Sequence, residues 1–447
     1  MNVPAPSHRL RQALLPLGLL SFVLGCFPLQ PKTIAPPSKD QLSALKTSLA
    51  QLRGLEPKRD FEFVAGELAE TAPIADDIAL ERAYKHLGLL GANDDLKTAL
   101  EKYRRLARLI DYDSANDRLQ IGADAQRLGS ALPPPYQRAA GELAHAMAIV
   151  QALQEQHFHW QEKISRASND DSQLAHRAVA GGDALLTALA HGSDGKLNST
   201  SHLSAARQVA KQMERLADDL PPFLRSQLTL PLREGSDFAA WAIKAKGTAG
   251  LNALYTDPPR TSAQILHPER YFFRTHPAQR IAPAGLARQL TPPLVDQSMG
   301  EFLLRGLLES EHGAPSARQI AAGWRGDRYL SFSEQNFQTT AWYSAWGSAG
   351  EAATFLRGFQ TIADKRQRMR LRRSAGSADE TFIDHTRDRG SFALARKGSV
   401  VLYLVTSRER LAALAEEAWN DLALDIDLPP VRFESARGAG QLSLSKR

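Results

Sequence analysis

Four histidines, His145, His157, His159 and His176, are close enough in sequence for one folded unit to gather them around a metal ion. With one cysteine in 447 residues, zinc fingers and iron–sulfur sites are excluded, and His, Asp and Glu remain as ligands. His157 and His159 lie two apart and cannot share a helix face. His157 is expected as a buried, hydrogen-bonded core residue, and the other three as solvated. There is no G-x-S-x-G elbow and no glycine-rich phosphate loop. Gly323-Trp324-Arg325-Gly326-Asp327 reads as a turn into a strand with Trp324 buried, or alternatively as a stacking platform for a sugar or peptide. The densest basic run, residues 365–373, supplies Arg370, Arg372 and Arg373 as candidate contacts for anionic headgroups or acidic wall polymers. The balance of 55 Lys+Arg against 49 Asp+Glu, a net +6, is too dilute to argue for nucleic acid.

The cysteine itself has a specific chemistry. His8, Arg9 and Arg11 precede an apolar run over residues 13–25, too short to span a bilayer and suited to a signal peptide. The run ends in Val23-Leu24-Gly25-Cys26, which resembles the bacterial lipobox, so Cys26 is the expected lipid-attachment residue and new N-terminus. Each acyl methylene buried in a membrane contributes about 0.8 kcal/mol, so two or three chains (palmitate and its like) anchor a protein firmly. Phe27, in place of Asp, favours by resemblance the outer membrane, with the body in the periplasm. Residues 26–39 read as a lipidated, Pro-rich tether.

The elements that must position these groups fall into two textures. Hydrophobic residues make up 43% of the chain and charged residues 23%, enough for full cores, and the mean hydropathy of -0.33 excludes a polytopic membrane protein. Helical spacing predicts helices over 40–53, 75–90, 95–110, 173–191, 203–216 and 237–255, with a hairpin over 109–121. A long helix is predicted from the prolines at 133–135 to about 166, with Leu143, Met147, Val150, Leu153, His157, Trp160 and Ile164 on its core face. After a Pro-rich, irregular connector over 256–298 the pattern predicts helices at 300–311, 350–362 and 408–422. Strands are predicted at 329–332, 338–346, 382–385, 391–396 and 399–405. The expected organisation is a signal peptide (1–25), the tether, a mainly helical domain (40–255), the connector, and a smaller antiparallel α+β domain (299–447).

Several short strings share order with a known family. ALQEQHF at 152–158 resembles the stretch that follows the HExxH helix in secreted zincin-like metallopeptidases of the cell envelope, where it reads HELTHALQDQHF. ALERAYKHLGLL at 79–90, DYD at 111–113, RAVAGGDA at 177–184 and PPRTSAQILHPER at 258–270 extend the likeness. GWRGD at 323–327 and WYSAWGSAGEAATF at 342–355 carry it into the second half. The resemblance implies an α+β fold whose helical domain is a degenerate zincin. In the family two histidines one turn apart hold zinc, a glutamate activates its water, and a later carboxylate completes the set. Laid on this chain, the two His positions read Met147 and Gln151, the catalytic Glu reads Ala148, and the third ligand reads Gly181, beside Asp183. No ordinary zinc site survives that set, so no cofactor is expected. A rival frame, with Gly141-Glu142-Leu143-Ala144-His145 as the altered motif, breaks the 152–158 match and still lacks a ligand.

The resulting expectation is a noncatalytic envelope lipoprotein, a pseudo-metallopeptidase that binds a protein or peptide partner or serves as a scaffold. The alternative is a metal-dependent hydrolase with a rebuilt or displaced site.

Overall fold

The computed structural model describes residues 36–65, 77–122, 134–197, 199–290, 292–334, 337–366, 370–373, 380–385 and 390–426. Cys26 and most of the expected tether lie outside them. Helix α1 (Lys39–Arg53) starts at Ser38, which forms a reciprocal capping box with Gln41, and ends at Gly54 in the left-handed region. Strand β1 (Glu62–Ala65) follows, then α2 (Ile78–Leu87) and α3 (Leu96–Ala107), each capped by an aspartate, Asp77 and Asp95. The expected hairpin is present as β2 (Ile110–Asp113) and β3 (Arg118–Ile121), and β1 adds to β3 in parallel.

The long helix stops earlier than the periodicity predicts. α4 (Pro134–Phe158) ends where His159 turns to φ 51°, and a short α5 (Trp160–Ser165) resumes. Then come α6 (Asp170–His191), α7 (Thr200–Leu216), α8 (Pro222–Thr229) and α9 (Glu234–Thr256). α9 is two limbs: Lys246 and Gly247 leave helical geometry, and Gly250 comes back against the carbonyl of Ala242, where a Cβ would lie 2.2 Å from that oxygen. A straight helix would hold those residues two turns apart. Gly247, at φ 60°, makes the reversal.

The connector, expected to be irregular, is built from short elements: α10 (Ser262–Leu266), α11 (Pro268–Phe272), β4 (Gln279–Pro283), α12 (Ala284–Gln289) and β5 (Val295–Gln297). Each is too brief to establish a period, which is why its sequence reads as loop. α13 (Gly300–Ala321) runs past its predicted end through a break at Gly313. The remainder is β6 (Trp324–Glu334), β7 (Phe337–Trp346), α14 (Ala349–Arg366), β8 (Arg372–Arg373), β9 (Glu380–His385), β10 (Ser391–Lys397), β11 (Val400–Thr406), α15 (Leu411–Glu417) and β12 (Leu422–Ile426).

The architecture is therefore mixed and predominantly helical, with antiparallel sheets in the second half. Seven strands form one antiparallel sheet in the order β5-β6-β7-β11-β10-β9-β8, and β12 pairs with β4 in a separate ribbon. Alternation along the strands sends Tyr329, Trp342, Trp346 and Tyr403 to one face and Leu330, Phe332, Tyr343 and Leu404 to the other. The first face joins α14 and the helical half in one continuous apolar cluster that reaches from Tyr84 to Val405. The second packs on Leu286, Leu411 and Leu414. A smaller cluster under α1, α4 and the β1–β3 sheet holds Leu49, Phe61, Ile149 and Leu153.

Candidate functional site

The four positions laid on the zinc motif lie in apolar packing or in solvent. Met147 packs both against the apolar group of Leu185, Ala206, Ala210 and Leu232 and against the cluster under α1, in which Ala148 is buried. Gln151 is exposed. Gly181 is turned toward the segment after α8: a Cβ there would meet Pro231 Cβ at 2.6 Å, a distance real Cβ atoms do not tolerate. Leu230, Pro231 and Leu232 thus lie beside both Gly181 and the Met147 cluster, and the side of α6 that a third ligand would use is filled by a proline ring. These residues do not fit a catalytic zinc site.

Asp183, two residues on, points the other way and is the centre of a buried junction. Arg53, from the last turn of α1, donates Nε to Oδ1 at 2.8 Å and Nη2 to Oδ2 at 2.9 Å, and both side chains are 0% exposed. Gln154 Nε2 and the Tyr255 hydroxyl donate to Oδ2 at 3.0 and 2.8 Å, and Thr187 donates to Oδ1 at 3.3 Å. Arg53 Nη1 reaches Asn252 Oδ1 at 2.8 Å. Burial alone would lower the Arg53 pKa, but the Asp183 charge and hydrogen bonds raise it above its ordinary value. Burial, reinforced by Asp183, pushes the Tyr255 phenol well up. Asp183 therefore has no lone pair left to take a proton from a substrate, and the junction locks α1, α4, α6 and α9 together.

Two of the strings singled out in the sequence, ALQEQHF and RAVAGGDA, meet at this lock, and DYD meets ALQEQHF at Gln156. ALQEQHF contributes Gln154 to Asp183. Gln156 donates to the Arg59 carbonyl at 3.0 Å and the Tyr112 hydroxyl at 2.9 Å. RAVAGGDA supplies Asp183, and DYD supplies Tyr112.

A second junction joins the helical half to the sheet. Asp327, at the start of β6, accepts the backbone N–H groups of Met299 (2.8 Å) and Gly300 (2.9 Å), the Ser298 hydroxyl (2.9 Å), and the indoles of Trp324 (3.2 Å) and Trp342 (3.0 Å). It thereby caps α13 from a neighbouring element, satisfying amides the helix cannot. Glu301 accepts from His267 Nε2 at 2.6 Å and Arg270 Nη1 at 2.9 Å, and Arg270 Nη2 donates to the Ala322 carbonyl at 2.7 Å. Asp171, in the first turn of α6, accepts Ser262 N–H at 3.1 Å through Oδ1, while Oδ2 has no partner among the described residues. Burial, with the charges of Asp327 and Glu301, pushes its pKa up to about 7 against the Ser262 hydrogen bonds. Burial raises Asp327 too, opposed by its donors. Gly300 takes φ 75°, and a Cβ there would fall 1.8 Å from Asp171 Oδ1, so only glycine lets the carboxylate approach.

Residues 291–416 match a family model described as "Domain of unknown function (DUF8575)". No curated protein and no solved structure matches the chain. The matched region runs from just before β5 to α15 and so contains the seven-stranded sheet, Asp327 and Glu301, but neither Asp183 nor Asp171.

Within the matched region, Trp324 is 2% exposed with its indole spent on Asp327, so it is a core residue and presents no ring face to a ligand. Arg370, Arg372 and Arg373 are exposed, the last two on the edge strand β8. Of the histidines, His157 is half-buried with Nε2 2.6 Å from the Glu56 carbonyl, and His159 is exposed as expected. His145 and His176, expected as solvated, are buried: His145 meets Phe63 edge-on at 5.0 Å, and His176 lies 5.3 Å from the Trp160 ring. Burial pulls the His176 pKa down to about 4. Among the described residues no group of three or more His, Cys, Asp or Glu is placed to hold a metal ion. Arg53, Asp171, Asn252, Tyr255 and Glu301 were not singled out by sequence reasoning. A lone carboxylate in the small and apolar stretch 174–190 was the available signal, because a charge there demands a buried partner.

Proposed function

We propose that this chain is a noncatalytic lipoprotein of the bacterial cell envelope, with a degenerate zincin-like helical domain retained as a scaffold or for binding a protein or peptide. The observation that carries this reading is the proline ring packed on Gly181, which takes the space of the third zinc ligand, while Met147, Ala148 and Gln151 bring no suitable donor. The saturated Asp183 supports it, since the nearest carboxylate is engaged in holding four helices. The lipid anchor is Cys26, the body faces the periplasm from the outer membrane, and the exposed Arg370, Arg372 and Arg373 are the first candidates for contact with acidic groups.

Two measurements test the proposal. The purified full chain should carry no stoichiometric zinc by elemental analysis and no casein-type cleavage that chelator removes and zinc restores; either result would establish the hydrolase instead. Replacing Cys26→Ser should release the protein from the membrane fraction, and unchanged fractionation with an uncleaved N-terminus would reject the anchor.

A further inference from the structure

Trp241 and Phe273 stand 45% and 68% exposed. Trp241, on the first limb of α9, stacks on Phe272 with centroids 6.1 Å and planes 18° apart, and Phe273 follows Phe272 in the chain. The group is firmly backed: buried Phe238 lies 5.5 Å from Phe272 and 5.4 Å from Tyr271, whose hydroxyl donates to the Asp257 carbonyl. A folded protein that exposes ordered aromatics on a packed base has something to place against them. Lys244 is exposed a turn beyond Trp241, Lys246 is exposed at the α9 reversal, and Arg274 follows Phe273. Of the acids at the margin, Asp237 is matched by Arg207 at 2.8 Å, Asp257 lies 3.9 Å from Arg274, and Glu269 lies 3.7 Å from His267. Lys244, exposed on the same limb as Trp241, is the cation that borders the rings.

We propose that this group is the face by which the body rests in the interfacial layer of a bilayer containing anionic lipid, with Trp241 and Phe273 inserted among the headgroups and Lys244 over them. Aromatic rings bordered by lysine match the polarity of that layer, apolar below and charged above. The proposal rests on the Cys26 tether of the preceding section, and chain length supports it. The stretch from Cys26 to Ser38 spans at most about 45 Å. Helix α1 adds roughly 22 Å between the tether and Gly54, and Gly54 lies against Thr248 in the second limb of α9. The α9 bend is thus closer to the tether's exit than the tether is long, so the tether is long enough to let the aromatic face meet the leaflet that holds the lipid. A contact tethered at such a distance acts at millimolar effective concentration, and a weak interfacial insertion suffices.

The test uses the full chain reconstituted into phosphatidylethanolamine–phosphatidylglycerol vesicles whose acyl chains carry bromine, which quenches tryptophan at the interface. The wild-type chain should lose a fraction of its fluorescence on bromination. Trp241→Phe should abolish that loss, and Lys244→Glu should reduce it at least about twofold. Equal quenching in wild type and Trp241→Phe, or none in either, would overturn the proposal, as would a cross-linked second copy shielding Trp241. Mass spectrometry of Cys26 separates the two readings: an unlipidated chain whose Trp241 is still quenched rejects the tether and keeps the face, whereas a lipidated chain without quenching rejects the face and keeps the tether.

Discussion

The Asp183 and Asp171–Asp327 junctions both bury carboxylates at the meeting of several helices, yet they neutralise them in opposite ways. At Asp183 a guanidinium supplies the countercharge, and an amide and two hydroxyls complete the shell. At the sheet junction Glu301 takes the one arginine and the histidine, while Asp327 is held by backbone amides, indoles and a hydroxyl, and Asp171, with one amide, has its pKa pushed up to about 7 by burial. The first is an ion pair closed by several donor contacts, with the Arg53 guanidinium held charged by Asp183. The second depends on where a proton sits, so solution conditions reach it even though water does not. A buried charge can thus serve as a rivet or as a titratable joint, and the supply of cations decides which.

The largest effect that sharpens this contrast is expected from Asp183→Ala, which leaves Arg53 charged and unpaired in the interior; denaturant unfolding should show a loss of about 3–5 kcal/mol. Combining it with Arg53→Met should recover much of that loss, and a single variant losing under about 1 kcal/mol would remove the rivet from the account. Asp171→Asn comes next. Asp171 has a folded pKa near 7, above its unfolded value, so between about pH 4 and 7 the native state holds a proton that the unfolded chain has released. The stability it contributes therefore falls as pH rises through that window, by up to about 1.4 kcal/mol per pH unit. The asparagine variant should flatten that slope and be relatively more stable at pH 8; parallel pH profiles for the two proteins would show that the joint does not titrate. Gly181→Ala, which drives a Cβ into Pro231, should lower stability by about 1–3 kcal/mol in thermal unfolding. Unchanged stability would mean that the Leu230–Leu232 turn yields. Smallest of all, Arg372→Ala and Arg373→Ala, at an exposed edge, should shift stability by less than about 0.5 kcal/mol while weakening any adhesion to acidic vesicles.

Much of the helical frame is legible in the residue pattern, because α1, α6 and the β2–β3 hairpin are set by local periodicity, caps and turn residues. The junctions are not, because Arg53 and Asp183 lie 130 positions apart and Asp171 meets Ser262 across 91. Residue type alone reads Arg53 as the solvated end of an amphipathic helix. His145 and His176 were misplaced for the same reason: burial of an imidazole depends on the neighbouring elements, here β1 and α5, that approach its face. Trp324 was legible as a buried strand residue, since its flanking glycines mark the bulge between Trp324 and Gly326. The α9 reversal at Lys246 and Gly247 was hidden because both limbs keep helical apolar spacing. Of the strings picked out in the sequence, ALQEQHF and RAVAGGDA supply Gln154 and Asp183 to the first junction.

The ribbon of β4 and β12 has a consequence for how the molecule is made. Strand β4 pairs Gln279–Pro283 with Leu422–Ile426, partners separated by most of the second half of the chain. Until residue 426 has emerged, the ribbon side of β4 has no strand to pair with, and the sheet face carrying Leu330, Phe332 and Tyr343 lacks its closing elements α15 and β12. Such long-range pairing is slow and comes late. A chain delivered vectorially, amino end first, would therefore stay loosely closed until its last strand arrives. A stop codon before Leu422 would yield a protein with its helical half intact and an open, adhesive sheet, a product for quality-control proteases rather than a shorter working copy.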